Sequence, residues 1–510
     1  MKNNFALISL YSTSNLGVRF LTSYLRSQGF DVSVIFFKDM FFNDVEKPTS
    51  KEKDFLINIL KKINPGLIGI SVGCSALSKI AKEITIIIKS QLDAPVIWGG
   101  AHATILPEES IITADFVCAG DGEMSLKKLL TSLNGSQSDI STIPNLWFKK
   151  NGSIISNKIE PVDNTFCNLP FPDYSNEKKF FISENTIKET DPFREAPWLY
   201  VTITSKGCRY LCTYCSNNLF MKASGGKKGY IRRRSADSVI DELVAIKKMI
   251  PGIRMIQFID DEFASDIDWV IEFSKRYQKE INLPFWCFYH PFGIIEGSIK
   301  HLKKVGLKHV QIGLQTGSAY VRKKIFHRPE SDKAVYSAVQ LLNKNGVTPK
   351  IDLIFDNPFE TEATREEAVK FLLKLKRPIH FHLFSLMHFP KTRLTERALN
   401  EKLISEKDVE GEGDKALSQS FFTQDYPRPK SEFFWICITS LIDKSFIPKS
   451  LILNLSKNQW LKKNPKALYY FANVANLIRL GQIGTAAALR GELTFSFVKK
   501  YINHFVNLGT

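Results

Sequence analysis

The sequence predicts an α/β protein in three parts: a doubly wound parallel sheet, a six-unit β/α barrel or partial barrel, and a helical C-terminal region. Three observations predict this fold class. With 510 residues, the chain is longer than one hydrophobic core usually serves. Short apolar runs alternate with helical patterns over residues 1–135 and again over 197–395. Over residues 396–510, only helical patterns continue.

The first part, residues 1–135, contains five strand-length runs: NFALISL, DVSVIFF, GLIGISV, APVIWGG and DFVCAG. Helices between parallel strands bring the carboxyl ends of the strands to one edge of the sheet, where such sheets bind ligands. Three loops at this edge, SVGCSA, WGGAHATILPEE and CAGDGEMS, are small and polar. Glycine lets a backbone approach a bulky ligand closely. The loops therefore predict a cofactor-binding face, with ordinary tight turns as the alternative.

Residues 136–196 are rich in turn-forming residues and are predicted to be a connecting segment with a little β structure. The Asn151-Gly152 pair predicts a hairpin within it. From 197 to 395, six further strands are predicted, most of them followed by a helical pattern: LYVTIT, MIQFID, FWCFYH, HVQIGL, KIDLIF and HFHLFSL. Six such units predict a barrel or partial barrel that functions at the carboxyl ends of its strands.

The C-terminal region, residues 396–510, contains the helical patterns FFWICITSLID, NPKALYYFANVANLIRLG and TAAALRGELTFSFVKKYINHF. We expect these helices to cap the barrel, with peripheral contact to a membrane surface as the alternative. The net charge of +17 attracts anions, but no RNA-recognition signature is present, so nucleic acid is not an expected partner. No apolar run has the roughly 18–20 residues of a membrane helix, and a cytoplasmic location is predicted.

The stretch SKGCRYLCTYCSN, which directly follows the first barrel strand, places Cys208, Cys212 and Cys215 within eight residues. Lys206 and Arg209 lie beside them, and positive charge is expected to lower the thiol pKa values and favour thiolates. Packing and zinc are alternative interpretations, although a structural zinc takes four ligands and no second cysteine pair follows. A [4Fe–4S] cluster usually takes four thiolates, so three would leave one iron open.

This CxxxCxxC stretch, with an aromatic residue before its last cysteine, resembles the signature of radical S-adenosylmethionine (SAM) enzymes. The family fold is a (β/α)6 partial TIM barrel. The resemblance implies that Cys208, Cys212 and Cys215 ligate a [4Fe–4S] cluster and that SAM chelates the fourth iron. Gln315 stands where the family usually has glutamate. The SAM contacts that the resemblance implies are Tyr214, Asp260, Asp261, Glu262, Gln315 and Ser318.

The N-terminal third resembles the Rossmann-like cobalamin-binding domain that precedes this barrel in one subclass of the family. No DxHxxG pattern occurs in residues 1–135, so the resemblance implies base-off cobalamin with no histidine on cobalt. The cobalamin contacts that it implies are Ser71, Gly73, Gly99, Gly100, His102, Ala103, Thr104, Gly120, Gly122 and Glu123.

Together, these resemblances imply a cobalamin-dependent radical SAM enzyme similar to the class B methyltransferases. It would cleave SAM reductively to a 5′-deoxyadenosyl radical and methylate an unactivated carbon or a phosphinate through methylcobalamin. Radical cyclisation, rearrangement or oxidation without methyl transfer is one alternative, and a non-catalytic cobalamin- or metal-binding sensor is another. The expected partners are a small-molecule, lipid or peptide substrate and an electron donor such as flavodoxin or ferredoxin.

Overall fold

The computed structural model describes residues 4–40, 46–135, 139–161, 163–195, 197–223, 231–264, 266–409 and 428–489. Its main strands form two sheets. The first contains nine strands in the order β7-β6-β5-β4-β3-β1-β2-β8-β9. Their bounds are Asn4–Leu10 (β1), Asp31–Phe37 (β2), Leu67–Ser71 (β3), Val96–Gly99 (β4), Phe116–Cys118 (β5), Leu146–Lys150 (β6), Ser153–Ser156 (β7), Lys179–Ser183 (β8) and Thr186–Lys188 (β9).

Strands β1 to β5 are parallel and lie in the order β5-β4-β3-β1-β2. The winding therefore reverses at β1, which confirms the doubly wound prediction and places a ligand-binding crevice between β1 and β3. Helices α1 and α6 cover one face of the sheet, and α2, α3 and α5 cover the other. The helix bounds are Leu16–Ser27 (α1), Ser50–Ile63 (α2), Ser78–Gln91 (α3), Ala101–Ile105 (α4), Pro107–Thr113 (α5) and Glu123–Leu133 (α6).

The segment 136–196 contributes strands to both edges of this sheet. The predicted hairpin is formed by β6 and β7, and its turn residues Asn151 and Gly152 have φ values of 50° and 77°. This conformation suits the right-handed twist of paired strands. At the other edge, β8 pairs in parallel with β2. The segment thus covers backbone edges that would otherwise carry unpaired N–H and C=O groups.

A buried ion network fastens this segment to the first helix. Arg19 of α1 donates to both carboxylate oxygens of Asp191, at 2.6 and 2.9 Å, and Lys179 of β8 donates to the same carboxylate at 2.8 Å. The Arg19 guanidinium also lies 3.8 Å from the ring centroid of Tyr174. All three charged side chains are almost fully buried, so each depends on the others for its stability.

The second sheet has six parallel strands in chain order, β10-β13-β14-β15-β16-β17. Strands β10 and β17 are its two edges, so the barrel is open, as predicted. A two-stranded ribbon, β11 with β12, stands beside it. The strand bounds are Leu199–Thr202 (β10), Ser205–Lys206 (β11), Arg232–Arg233 (β12), Met255–Phe258 (β13), Phe285–Tyr289 (β14), Leu307–Gln315 (β15), Thr348–Phe355 (β16) and His380–Ser385 (β17).

Helices α8 to α12 follow the barrel strands and pack on the convex face of the sheet. The helix bounds in this unit are Asn217–Ala223 (α7), Ala236–Met249 (α8), Ile267–Arg276 (α9), Glu296–Lys304 (α10), Asp332–Lys344 (α11), Glu362–Lys374 (α12) and Arg393–Asn400 (α13). The C-terminal helices are Lys430–Ile442, Lys449–Lys457, Gln459–Lys463 and Pro465–Leu489. The first of these packs into the barrel core through Phe434, Trp435 and Ile438. Most of the helix predicted over 485–505 lies outside the described residues.

Replacing Asp191 with Asn keeps the shape of the side chain but leaves Arg19 and Lys179 without a buried counter-charge. We expect Asp191→Asn to lower the free energy of unfolding by about 3–5 kcal/mol, measured from the urea dependence of circular dichroism. The matched control is Asp31→Asn, which breaks an ion pair with Lys178 whose side chains are 45% and 47% exposed. That control should cost less than about 1 kcal/mol. Equal losses in the two variants would contradict the prediction.

Candidate functional site

The three clustered cysteines lie on one loop at the carboxyl end of β10. The loop begins after the short strand β11 and ends where α7 starts, two residues beyond Cys215. Cys212 is buried and the other two thiols are half-buried. The amide of Cys215 donates to the carbonyl of Cys212 at 3.2 Å, which fixes the turn between them. The barrel therefore presents these thiols where a β/α fold carries its chemistry.

Asp260, at the end of β13, anchors this loop. Its carboxylate accepts a hydrogen bond from the Thr204 amide at 3.0 Å and from the Thr204 and Ser205 hydroxyls at 2.6 Å each. Asp260 is 2% exposed. These hydrogen bonds hold the start of the cysteine loop, and the predicted contact of Asp260 with SAM stays a prediction.

The next two carboxylates, also predicted to contact SAM, have different surroundings. Asp261 is exposed and accepts a hydrogen bond from the Asn217 side chain at 2.5 Å. Glu262 is 2% exposed, and one of its oxygens lies 2.9 Å from Nε of Arg209. A Cβ atom at Gly293 would come within 2.5 Å of the other oxygen, so glycine is required there for Glu262 to keep its position. Of the three carboxylates, Asp261 is the exposed one.

For Cys208 and Cys215, the expectation that nearby cations lower the thiol pKa values is wrong. Burial raises the pKa of Cys208 to about 11 and that of Cys215 to about 12, and the negative charges of Cys212 and Asp261 raise both further. The cations that were expected to act are already neutralised, because Lys206 pairs with Asp121 and Arg209 pairs with Glu262. Burial and negative neighbours therefore dominate.

A buried arginine that the sequence analysis missed connects the loop to β15. Arg328, which is 6% exposed, lies 3.6 Å from Sγ of Cys212 and donates to the Tyr214 hydroxyl at 3.1 Å. It also donates to Glu330 at 2.6 Å, and Glu330 contacts His290 at 3.1 Å. No spacing signal could have found Arg328, because its partners on the loop lie more than 100 residues earlier in the chain.

Two further predicted SAM contacts, Gln315 and Ser318, lie at the end of β15 and just after it. Gln315 has φ of 73°, and its Oε1 atom is buried without a hydrogen-bond partner in the described structure. Its Nε2 atom occupies the space that a side chain at Gly313 would need, 2.7 Å from such a Cβ. Ser318 is fully buried and donates to Glu367 on α12 at 2.6 Å. Gln315 thus carries an unused acceptor, whereas the hydroxyl of Ser318 is already engaged.

Among the described residues, no three His, Cys, Asp or Glu side chains converge closely enough to hold a single metal ion. A [4Fe–4S] cube has a different requirement, because each of its thiolates binds a different iron and the sulfur atoms do not meet at one point. Three thiols on one loop, with Asp261 exposed beside them, fit such a cluster. The unpaired Oε1 of Gln315 fits a hydroxyl donor of a ligand.

A cavity of about 150 Å³ opens in the N-terminal domain, between the sheet and helices α1 and α6. No protein atom lies within 4 Å of a Cβ built at Gly99, so the space beside it is available to a ligand. The cavity is narrow and mostly apolar, which suits the insertion of a flat ring system. Six predicted cobalamin contacts line it: Ser71, Gly99, Gly100, Gly120, Gly122 and Glu123.

The remaining predicted cobalamin contacts are placed differently. Gly73 is open, with no atom within 4 Å of a Cβ position. His102, Ala103 and Thr104 lie in the short helix α4 and are buried, although the sequence suggested a loop there. Thr104 accepts a hydrogen bond from the Gly120 amide at 3.0 Å and so joins two of the ligand-facing loops. Its contribution is to position the backbone.

His102 is 1% exposed, and its Nδ1 atom lies 3.1 Å from the Ser75 hydroxyl. Burial lowers the pKa of His102 to about 4, so the ring is neutral near pH 7. His102 borders a second cavity, of about 540 Å³, which lies between α4 and the loop after β17. Residues of both α/β units therefore line this cavity.

Asp121 links the two units beside the smaller cavity. One of its oxygens lies 3.4 Å from Nζ of Lys206, and the other accepts from Arg232. Burial alone would raise the pKa of Asp121, but the two cations outweigh it and hold the pKa below its ordinary value. Lys206 lines the cavity and stands two residues before Cys208. A second link is made by Lys391, which donates to Glu108 at 3.1 Å.

The concave face of the barrel carries a polar group that the sequence analysis also missed. Gln311 donates to both oxygens of Asp352, at 2.8 and 2.9 Å, and His382 contacts the same carboxylate at 3.2 Å. The three residues come from β15, β16 and β17. Their alternation with the buried residues Ile312 and Leu383 could have indicated the inward face, but not the contact between strands.

Comparison with known proteins bears on these sites. Residues 8–130 match the model of the B12 binding domain, and residues 202–372 match that of the radical SAM superfamily. An uncharacterized methyltransferase of Pyrococcus horikoshii is 27% identical over 76% of this chain and 79% of its own. The cytidylyl-2-hydroxyethylphosphonate methyltransferase of Streptomyces wedmorensis is 25% identical over 62% of this chain and 64% of its own.

Among solved structures, the chain is similar to the radical SAM methyltransferase TsrM from Kitasatospora setae, with cobalamin and a [4Fe–4S] cluster bound. The TM-score is 0.62 at 18% identity, over 90% of this chain and 99% of that one. This likeness shows that the whole order of domains is shared.

Fold and sites together define an α/β enzyme whose cysteine loop and glycine-lined cavity lie on adjoining units. The chain belongs to the radical SAM superfamily, among the enzymes that carry a B12-binding domain. Its cofactors are a [4Fe–4S] cluster, SAM and cobalamin, and enzymes of this superfamily need a reductant. The residues assigned to each cofactor stay predictions.

Removing the carboxylate of Asp260 would leave three donors of Thr204 and Ser205 without a partner. We expect Asp260→Ala to reduce the iron bound per chain severalfold after anaerobic reconstitution, because each unsatisfied buried donor costs about 1–3 kcal/mol. Cobalamin binding should persist. Asp241→Ala, at a 54% exposed side chain on α8, is the control and should retain its iron. Normal iron content in Asp260→Ala would exclude an anchoring role.

The lowered pKa of His102 predicts a pH effect. Between pH 6.5 and 4, the unfolded chain binds a proton at this residue more readily than the folded chain does, so stability falls as the pH falls. At pH 5, we expect the loss to be about 2 kcal/mol relative to pH 7. His102→Gln should lack this component when urea unfolding is compared at the two values. An unchanged pH dependence in the variant would refute the prediction.

Proposed function

We propose that the protein is a cobalamin-dependent radical SAM methyltransferase that methylates an unactivated carbon or a phosphinate. One observation carries the proposal: Lys206 lines the glycine-edged cavity of the B12-binding domain and also begins the cysteine loop. A group bound in that cavity and a cluster bound on that loop would therefore be neighbours. The methyltransferase activity named for the relatives in Pyrococcus horikoshii and Streptomyces wedmorensis supports methyl transfer as the outcome.

When bound, cobalamin would carry a methyl group supplied by one SAM, and the cluster with one external electron would split a second SAM into methionine and a 5′-deoxyadenosyl radical. In this proposal, Cys208, Cys212 and Cys215 hold the cluster. The exposed carboxylate of Asp261 receives the SAM ammonium, and Oε1 of Gln315 accepts from a ribose hydroxyl.

Other residues around the cysteine loop would support the SAM site by holding neighbouring side chains in position. Arg328 holds Tyr214 and Cys212 in place, so that the aromatic ring can lie along the adenine. Asp260 fixes the start of the loop, and the hydroxyl of Ser318 stays with α12. Asp260, Ser318 and Glu262 therefore contribute to the SAM site by supporting its walls.

For cobalamin, the six lining residues of the smaller cavity would surround the nucleotide tail, with Gly73 open to the corrin edge. Displacement of the tail into this cavity requires the base-off form. The lack of a DxHxxG pattern in residues 1–135 supports a cobalt without a protein histidine.

The substrate of the proposed reaction is a small molecule, a lipid or a peptide that reaches the concave face of the barrel. There, the carboxylate of Asp352 orients His382, which would offer the substrate a hydrogen-bonding group on an otherwise partly apolar wall. A flavodoxin or a ferredoxin in the cytoplasm would supply the electron.

The decisive experiment needs no known substrate. The protein is reconstituted anaerobically with cluster, cobalamin and a reductant, and SAM products are separated by liquid chromatography and mass spectrometry. Formation of both S-adenosylhomocysteine and 5′-deoxyadenosine is expected. 5′-Deoxyadenosine alone would favour a cyclisation, rearrangement or oxidation without methyl transfer. S-adenosylhomocysteine alone would contradict radical cleavage of SAM. If neither product formed with an intact cluster, the result would favour a non-catalytic cofactor-binding sensor.

Cys212→Ala removes the most buried of the three thiols and should abolish 5′-deoxyadenosine formation, because a cluster with two protein ligands is not held for electron transfer. Cobalamin binding, followed by its visible spectrum, should be retained, since the cavity belongs to the other unit. Cys437→Ala, in the helix Lys430–Ile442, is the matched control and should keep both properties. Continued SAM cleavage by Cys212→Ala would overturn the cluster assignment.

A further inference from the structure

The helix Pro465–Leu489, called the C-terminal helix below, exposes a stripe of large apolar side chains. The exposed fractions are 66% for Tyr470, 43% for Phe471, 56% for Val474, 64% for Leu477 and 48% for Ile478. Their spacing of one, three and four residues places them on one side of an α-helix. Single exposed apolar residues are ordinary, but a contiguous stripe of five indicates an interaction surface.

The opposite side of the same helix is already covered. Leu468, Tyr469, Ala472 and Ala475 are buried in the barrel core cluster. The ring of Tyr469 stacks on Phe433 of the helix Lys430–Ile442, with centroids 5.4 Å apart. The C-terminal helix is therefore apolar on two sides, of which the protein uses one. A helix that is hydrophobic all round normally has both sides out of water.

The surroundings of the exposed stripe are strongly basic. Lys463 and Lys466 are exposed just before and at the start of the helix, and Lys457 is exposed at the end of the earlier helix Lys449–Lys457. Trp460, beside them, is 62% exposed. In the sequence, residues 451–510 contain eight Lys or Arg and one acidic residue, Glu492. A second copy of this chain would bring the same charge to the contact, whereas an anionic surface would be attracted.

We propose that the exposed stripe of the C-terminal helix docks on the surface of an anionic lipid bilayer. The apolar side chains enter the boundary between headgroups and acyl chains, while Lys463 and Lys466 meet the acidic headgroups. Trp460 and Tyr470 have the amphipathic rings that favour this boundary. Every helix in the described part of the chain is too short or too polar to cross a bilayer, so the contact is peripheral.

The test is sedimentation of the full-length protein with vesicles of equal parts phosphatidylglycerol and phosphatidylcholine, compared with phosphatidylcholine alone. We expect binding to the anionic vesicles that weakens as salt is added. The triple substitution Tyr470→Ser, Val474→Ser and Leu477→Ser should weaken binding by at least about 100-fold, because it removes the inserted apolar surface. Lys463→Gln with Lys466→Gln should weaken it about fivefold for each lysine.

The matched control is Ile112→Ser with Ile154→Ser. These residues are exposed by 68% and 49% but lie on α5 and β7, away from the C-terminal helix. This variant should bind the anionic vesicles as tightly as the original protein. Unchanged circular dichroism in the triple variant would show that the loss of binding is not a loss of fold.

Two results would overturn the proposal. One is the absence of binding to the anionic vesicles, or binding that the triple substitution leaves unchanged. The other is a concentration-dependent dimer in sedimentation velocity without lipid that the triple substitution dissociates, which would assign the stripe to a second copy. The SAM products are measured without vesicles, so either result is independent of the proposed enzymatic function.

Discussion

The carboxylate of Asp121 joins the N-terminal α/β unit to the barrel beside both candidate cofactor sites. It extends from the loop after β5 and meets two cations of the barrel, Lys206 and Arg232, on the short ribbon beside the cysteine loop. Burial would favour the neutral acid, but the paired cations keep the carboxylate charged. Together with the Lys391–Glu108 pair, this contact fixes the position of the glycine-lined cavity relative to the cysteine loop.

At the cysteine loop, burial outweighs the effect of neighbouring cations on the pKa values of the thiols. A loop rich in cations suggests reactive thiolates, but here each cation has a carboxylate of its own. Burial therefore raises the pKa values of Cys208 and Cys215. Arg328 is the buried cation beside Cys212, and its guanidinium lies 3.6 Å from Sγ of that residue.

Periodicity was sufficient to predict the strands and most helices of both α/β units, because parallel sheets are built from consecutive apolar runs. Beyond the β6–β7 hairpin, the sequence did not predict that β6 would pair with β5 or β8 with β2, because turn-rich segments carry no pattern that identifies a sheet edge. At the site, the cysteine spacing was informative because all three residues share one loop. Asp260, Arg328 and His382 could not be assigned from sequence, because their roles depend on partners brought together by different strands.

Gly293 and Gly313 have a consequence for the engineering of this enzyme. At each position, the missing side chain is replaced in space by a neighbour's polar atom: Oε1 of Glu262 in one case and Nε2 of Gln315 in the other. Even alanine would force these atoms to move. A library that varies the barrel wall can therefore sample Gln311 and His382 without disturbing these contacts, whereas substitutions at positions 293 and 313 would also displace Glu262 and Gln315.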